Sequence, residues 1–240
     1  MSQERTEGVV MRGVDFSETS RIVTFLCPAR GRLTCIAKGV RRRKSALAPV
    51  LDTLNRVELG YYWKENRAVQ TLSDATLLDG FSGIKSNLEK AVHAAFPLEV
   101  AYKTARDNEP SHELYAALVR GLEGFARFEG DVKAYTCWHV LRLLTAAGFA
   151  PAIDMCAKCG APVGQRPGFV YDGGTTCGAC RGDVRLSPRD YDVLRALLEN
   201  SQSCPEATDV SAVFAVLHRY ASRQLDTQFR SLRVIEEMVG

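Results

Sequence analysis

RIVTFLCPARGRLTCIAK, residues 21–38, is the stretch on which the fold turns. Ile22–Leu26 and Leu33–Ala37 are rich in β-branched and apolar side chains, and the Cys27–Gly31 segment between them has the composition of a hairpin turn. Outward from this hairpin, Gly8–Arg12, Val57–Tyr62 and Val69–Leu72 read as three further short strands, separated by breakers such as Gly13–Ser17 and Lys64–Asn66. Five short strands in about 70 residues do not fill an open sandwich. Closure removes exposed edges, so a small barrel over residues 1–80 is expected.

The same stretch opens the most basic part of the chain. Between Arg21 and Lys44 stand eight bases (Arg21, Arg30, Arg32, Lys38, Arg41, Arg42, Arg43, Lys44) and no acid. The overall formal charge is only +3, but residues 1–80 carry +4 and the remainder −1. Such a one-sided field attracts polyanions. Arg30 and Arg32 flank the hairpin turn, and Lys38 with Arg41–Lys44 leads into a long connection, so these residues, with Arg12 and Arg56, are the expected phosphate contacts. Phe16, Phe25, Tyr61, Tyr62 and Trp63 are candidates for base stacking, Phe25 reading better as core.

From Ile84 the apolar period becomes helical. Ile84, Leu88, Val92 and Ala95 mark one helix, expected to kink or end near Phe96 because Pro97 removes a backbone donor. Leu114–Phe125, with Ser111 as N-cap, and Val132–Thr145, closed by Gly148, mark two more, and the three are expected to pack together. Ser187-Pro188-Arg189-Asp190 is a capping box for a fourth, and Asp209 caps a fifth. The expected organisation is a barrel at 1–80, helices at 81–151, an insert at 152–185 and helices again at 186–240.

The insert contains Cys156-x-x-Cys159 and Cys177-x-x-Cys180, 17 residues apart. Each knuckle presents two sulfurs to one metal, and the loop length lets the second knuckle complete a tetrahedron. One structural zinc ion is expected, ahead of an iron–sulfur cluster or two disulfides, because four thiolates leave no open position for substrate. Lys158, Arg166, Arg181 and Arg185 are at hand to offset the charge of the thiolates. The other four cysteines, Cys27, Cys35, Cys137 and Cys204, read as partly buried free thiols.

Enzymatic signatures are missing. Gly39–Ser45 has the outline of a phosphate loop but is one residue short and lacks a glycine before Lys44; the four histidines are dispersed, and no paired carboxylates stand out. No run of 18 apolar residues occurs, and the N-terminal segment has acids where a secretory signal needs bases, so a cytoplasmic protein is expected. A binding protein is the better reading. Besides a nucleic-acid binder, a zinc-stabilised adaptor whose basic face takes acidic protein segments fits the residues, as does, less well, a nucleic-acid-processing enzyme with an unrecognised site.

Three groups of residues resemble the bacterial recombination mediator family RecO: Glu7–Arg12 with Asp15–Thr24; Gly31–Leu33 with Ala37–Arg42; and Leu141–Leu144 with Gly148–Pro151, leading into Cys156. The resemblance covers nearly the whole chain. It implies an oligonucleotide-binding (OB) barrel followed by a helical domain carrying the zinc element. It also implies a non-catalytic, nucleoid-associated protein that binds single- and double-stranded DNA, anneals complementary strands and acts with RecR to load RecA onto DNA coated by single-strand-binding protein. Recognition of that protein's acidic C-terminal tail is implied as well, and Arg127, Lys133, Arg142, Arg219 and Arg223 are helical bases available to rim such a groove.

Overall fold

The computed structural model describes residues 2–207, 209–231 and 235. By compactness the chain divides into two units, residues 1–86 with 101–126, and residues 87–100 with 127–240.

In the first unit, five strands close into a barrel: β1 (Ser2–Asp15), β2 (Arg21–Cys27), β3 (Gly31–Ala37), β4 (Arg56–Trp63) and β5 (Gln70–Asp79), in the order β1-β2-β3-β5-β4. That order is the OB arrangement, a five-stranded Greek-key barrel. All neighbours are antiparallel except β3 and β5, which close the barrel in parallel through Cys35 opposite Gln70 and Ile36 opposite Thr71. β1 serves two partners, pairing with β4 from Ser2 to Val9 and with β2 from Val9 to Asp15, and a bulge between Val10 and Arg12 turns it from one to the other. The inward positions of β2 and β3 (Val23, Phe25, Leu33, Cys35) join Val10, Val57, Leu59 and Tyr61 in a closed apolar core.

The β2–β3 hairpin is clasped by the segment at 106–111 of the same unit. Arg32 N–H donates to Arg106 O at 2.9 Å and Ser111 N–H to Pro28 O at 2.8 Å. Gly31 has φ +54°, and a Cβ there would lie 2.2 Å from Glu109 O, so only glycine fits. A short helix α1 (Leu47–Val50) lies in the β3–β4 connection. Asn55, almost fully buried, holds that connection by donating to Pro49 O and Val50 O, while its own carbonyl accepts from Val10 N–H.

The expected first helix is split into α2 (Ser82–Lys85) and α3 (Leu88–Thr104). The latter does not end near Phe96. It runs on with Pro97 inside it, because Phe96, Leu98, Val100 and Ala101 are all buried and their burial outweighs one lost backbone bond. α4 (His112–Arg127) falls almost wholly in the barrel's unit, whereas most of α3 falls in the other.

In the second unit, α5 (Val132–Ala146) packs against α6 (Pro188–Glu199) and α7 (Ser211–Gln224). Asp131 caps α5 by accepting Ala134 N–H, and Ser187 caps α6 as its box predicts, accepting Asp190 N–H at 3.1 Å. Asp209 does not cap α7; its φ is +54° and the N-cap is Val210. Between α5 and α6 lies a small sheet in the order β7-β6-β8, from β6 (Gly168–Val170), β7 (Gly174–Thr176) and β8 (Val184–Arg185). Among the described residues no helix is long and apolar enough to cross a membrane.

Candidate nucleic-acid interface and metal centre

Cys156, Cys159, Cys177 and Cys180 converge: their four Sγ atoms all lie within 4.8 Å of one another. Each knuckle is set by its own backbone, with Gly160 N–H donating to Cys156 O and Cys180 N–H to Cys177 O. The two knuckles are tied through the small sheet, since Ala157 N–H donates to Thr175 O at 2.8 Å, and through Lys158, whose Nζ donates to Arg181 O at 2.8 Å. Cys159 and Cys177 sulfurs are 3.7 Å apart. A tetrahedral ion with metal–sulfur bonds of about 2.3 Å needs sulfurs about 3.8 Å apart, so the donor set fits a tetrathiolate-bound metal. Without a metal, backbone N–H groups favour the thiolate at two of the four positions, while hydrogen bonds with Cys159, Cys177 and Cys156 push Cys180 up to about 12. The N–H of Cys177 foremost, then those of Cys159 and Lys158, hold the Cys156 thiol down to about 6, and the N–H groups of Ala179 and Cys180 lower Cys177. Such a site, closed by four protein ligands, orders a segment with little apolar core of its own.

The expected phosphate contacts fall into two groups at opposite ends of β2 and β3. At one end, the β1–β2 turn and the segment after β3 are held together by Asp15, which accepts Arg21 Nε at 3.0 Å and Arg41 Nε at 3.2 Å. Arg41 also donates to Ser17 O at 2.6 Å and, from its backbone, to Thr19 O. Around this clasp Lys38, Arg42, Arg43 and Lys44 are exposed, and their side chains make no ion pair or hydrogen bond among the described residues. Arg12 is likewise exposed and unengaged, on the outer face of β1 opposite Thr24. That face continues across the sheet through Val14 opposite Ile22 and Ile22 opposite Ile36. Phe16 projects beside it from the β1–β2 turn, 62% exposed.

At the other end, the hairpin cations are already partnered. Arg30 donates to Glu4 at 2.8 Å, and Arg32 pairs with Asp107, donates to Tyr102 O and lies 5.0 Å from the Tyr102 ring centroid. Arg56 is held by Glu7 at 2.7 Å and Glu123 at 3.3 Å, and Tyr115 OH also donates to Glu7. Of the aromatic candidates, Phe25 and Tyr61 are core, Tyr61 donating its hydroxyl to Glu4, whereas Tyr62 and Trp63 are half-buried.

Residues 1–81 match the family profile "Recombination protein O N terminal" and residues 85–233 match "Recombination protein O C terminal". The chain belongs to the RecO family. Among similar curated proteins, "DNA repair protein RecO" of Streptomyces griseus is 31% identical, the match covering 99% of this chain and all of the other. The protein of the same name from Thermobifida fusca is 30% identical over 98% of this chain and 99% of its own. That of Anaeromyxobacter dehalogenans is 31% identical over 82% and 79%.

In this RecO-family chain three of the five helical bases are engaged within the fold. Arg142 is turned inward and donates to Leu197 O and Leu198 O at the C-terminal end of α6, next to Trp138, whose indole donates to Asn200 O. Arg223 is paired with Asp172 at 2.6 Å, and Lys133 donates to Ser211 Oγ. The sequence reading missed the organising acids Asp15, Glu4, Glu7 and Asp107. Only Asp15 left a signal: it stands directly opposite Arg21 across the β1–β2 turn.

Proposed function

We propose that this chain is a non-catalytic DNA repair and recombination mediator. In this reading it binds single- and double-stranded DNA, anneals complementary strands and, with RecR, helps load RecA onto DNA coated by single-strand-binding protein. What carries the reading is the group of unengaged cations, Arg12, Lys38, Arg42, Arg43 and Lys44, at one end of an OB-type barrel in a RecO-family chain. Cations that need not break an ion pair first are the ones best placed to replace the counterions of a phosphate backbone. Arg41 and Arg21, clasped by Asp15, fix the loop that presents them; Arg30, Arg32 and Arg56 brace the barrel and play a lesser part in binding. Phe16 offers an exposed ring on which a base stacks. Bound on both strands, such cations lower the mutual repulsion that slows annealing, a task without bond chemistry.

The four cysteines hold one structural zinc ion, which supplies local order and no reactive position. The protein acts in the cytoplasm, at the nucleoid. Its helical part takes the acidic tail of single-strand-binding protein.

A fluorescence assay of complementary-strand annealing, run with bare strands and with strands coated by single-strand-binding protein, tests the reading. Wild-type protein should accelerate both, and a variant with Arg42, Arg43 and Lys44 replaced by Ala should be slower on both. No acceleration by the wild type, together with binding of acidic peptides in place of oligonucleotides, would establish the adaptor reading instead.

A further inference from the structure

Four thiolates around Zn²⁺ carry a formal −2, so the bases of the four-cysteine element balance its charge as a whole, and their placement decides what they can bind. Its residues 156–185 contain Lys158, Arg166, Arg181 and Arg185 against Asp172 and Asp183. The fold uses some of these. Lys158 links the two knuckles, Asp172 pairs with Arg223, and Asp183 Oδ2 accepts Tyr171 N–H at 2.9 Å. The three guanidiniums are exposed, and none makes an ion pair or a side-chain hydrogen bond among the described residues.

The backbone brings these three together. Strand β8 folds back on β6 with Arg185 opposite Gly168, and Asp183 N–H and Leu186 N–H donate to Phe169 O and Pro167 O. Gly182 permits the turn, since a Cβ there would lie 2.7 Å from Phe169 N. Arg166 is pressed against the second knuckle, 3.6 Å from where a Gly178 side chain would begin. As a result Arg166, Arg181 and Arg185 line one cleft of about 800 Å³, together with one acid, Asp183, and with Cys177 and Cys180.

We infer that this cleft is a second phosphate-binding surface, which takes the backbone of single-stranded nucleic acid. Each guanidinium presents a planar fork of N–H donors that matches phosphate oxygens, and none of the three must break an ion pair first to bind one. The lining contains no aromatic ring on which a base stacks, so the contact is with the backbone and is indifferent to sequence. Its apolar part is limited to Ala179, Val184, Leu186 and two prolines, with no aromatic side chain to wall a deep pocket for a peptide anchor. The inference rests on the nucleic-acid reading of the barrel but concerns a different surface in a different unit.

The test uses the full chain carrying Arg166→Ala, Arg181→Ala and Arg185→Ala, titrated against labelled oligothymidylate and oligodeoxyadenylate at several salt concentrations. The log–log salt slope should shrink by about 0.7 per lost contact, up to about 2, and equally for both strands. Metal content and thermal unfolding should stay at wild-type values, and Lys in place of each Arg should restore most of the slope. If the Ala variant loses its metal, the single Arg185→Ala variant is read instead and should lose about 0.7 alone. A slope and affinity unchanged while the Arg42, Arg43 and Lys44 variant is impaired would overturn this cleft and leave the barrel reading standing. Failure of the wild type to bind either strand would remove both. Unchanged DNA binding with lost binding of hexaglutamate would overturn the inference in favour of a docking site for acidic protein segments.

Discussion

Arg30 lies over the indole of Trp63, its guanidinium carbon 4.1 Å from the ring centroid, while its Nη2 donates to Glu4. A cation stacked and paired at once must give up both contacts to reach a phosphate. Arg30→Ala should therefore lower barrel stability by about 1 kcal/mol and change the salt slope of DNA binding by less than about 0.7. Replacing the unpaired Arg42, Arg43 and Lys44 together should do the opposite. The slope should fall by up to about 2 with unfolding nearly unchanged, since exposed side chains leave no cavity behind. Salt titration and thermal unfolding of the two variants side by side check the contrast.

Cys159 is the exposed member of the four-cysteine cluster and lies 3.7 Å from the Cys177 sulfur. Cys159→Ser should lower metal content and make the stretch around residues 152–185 sensitive to proteases, because metal binding and local folding are one equilibrium there. Elemental analysis with limited proteolysis reads both, and a wild-type protein purified without any tetrahedral metal would refute the site.

His93 is buried, with Nδ1 3.1 Å from Thr136 Oγ1. Burial, with a contribution from Lys133 that outweighs the opposing Asp131, pushes its imidazole from 6.5 down to about 4. Between those two values the unfolded chain binds a proton that the folded chain refuses. Stability is accordingly whole above pH 6.5 and falls as pH drops toward 4, by up to about 1.4 kcal/mol per unit. Thermal unfolding at pH 7 and pH 5 should show a larger drop for wild type than for His93→Gln.

Gly31 and Gly148 both have positive φ, but only Gly31 is crowded. At Gly148 a Cβ meets nothing within 4 Å, so Gly148→Ala should cost about 1 kcal/mol of backbone strain. Gly31→Ala adds a collision with Glu109 O and should cost clearly more, by loosening the clasp on the β2–β3 hairpin. Urea unfolding of the two variants gives the comparison.

The sequence disclosed the barrel where alternation is strong, as in Phe25, Leu33 and Cys35, and it disclosed the cysteine cluster because ligand spacing is a local property. It understated β1 and β5. Ser2–Glu7 and Ser73–Asp79 are polar along much of their length and are linked by the ion pair of Arg5 with Asp74, Arg5 also pairing with Glu58 of β4, which no hydrophobic period reveals. The partnering of Arg30 and Arg32 was hidden for the same reason, since Glu4 and Asp107 stand 26 and 75 residues away. Pro97 misled because a rule about one backbone bond took no account of the buried side chains around it.

The two-pair seam between β3 and β5 bears on how the protein comes into being at the ribosome. β1, β2 and β3 are neighbours in sequence and can pair as they emerge, but Cys35 and Ile36 wait for Gln70 and Thr71. The arginine-rich segment is synthesised early and lies within the span that this late pairing closes. A nascent chain therefore carries the eight bases from Arg21 to Lys44 through the 26 residues of elongation from Lys44 to Gln70 before it has a closed surface on which to array them.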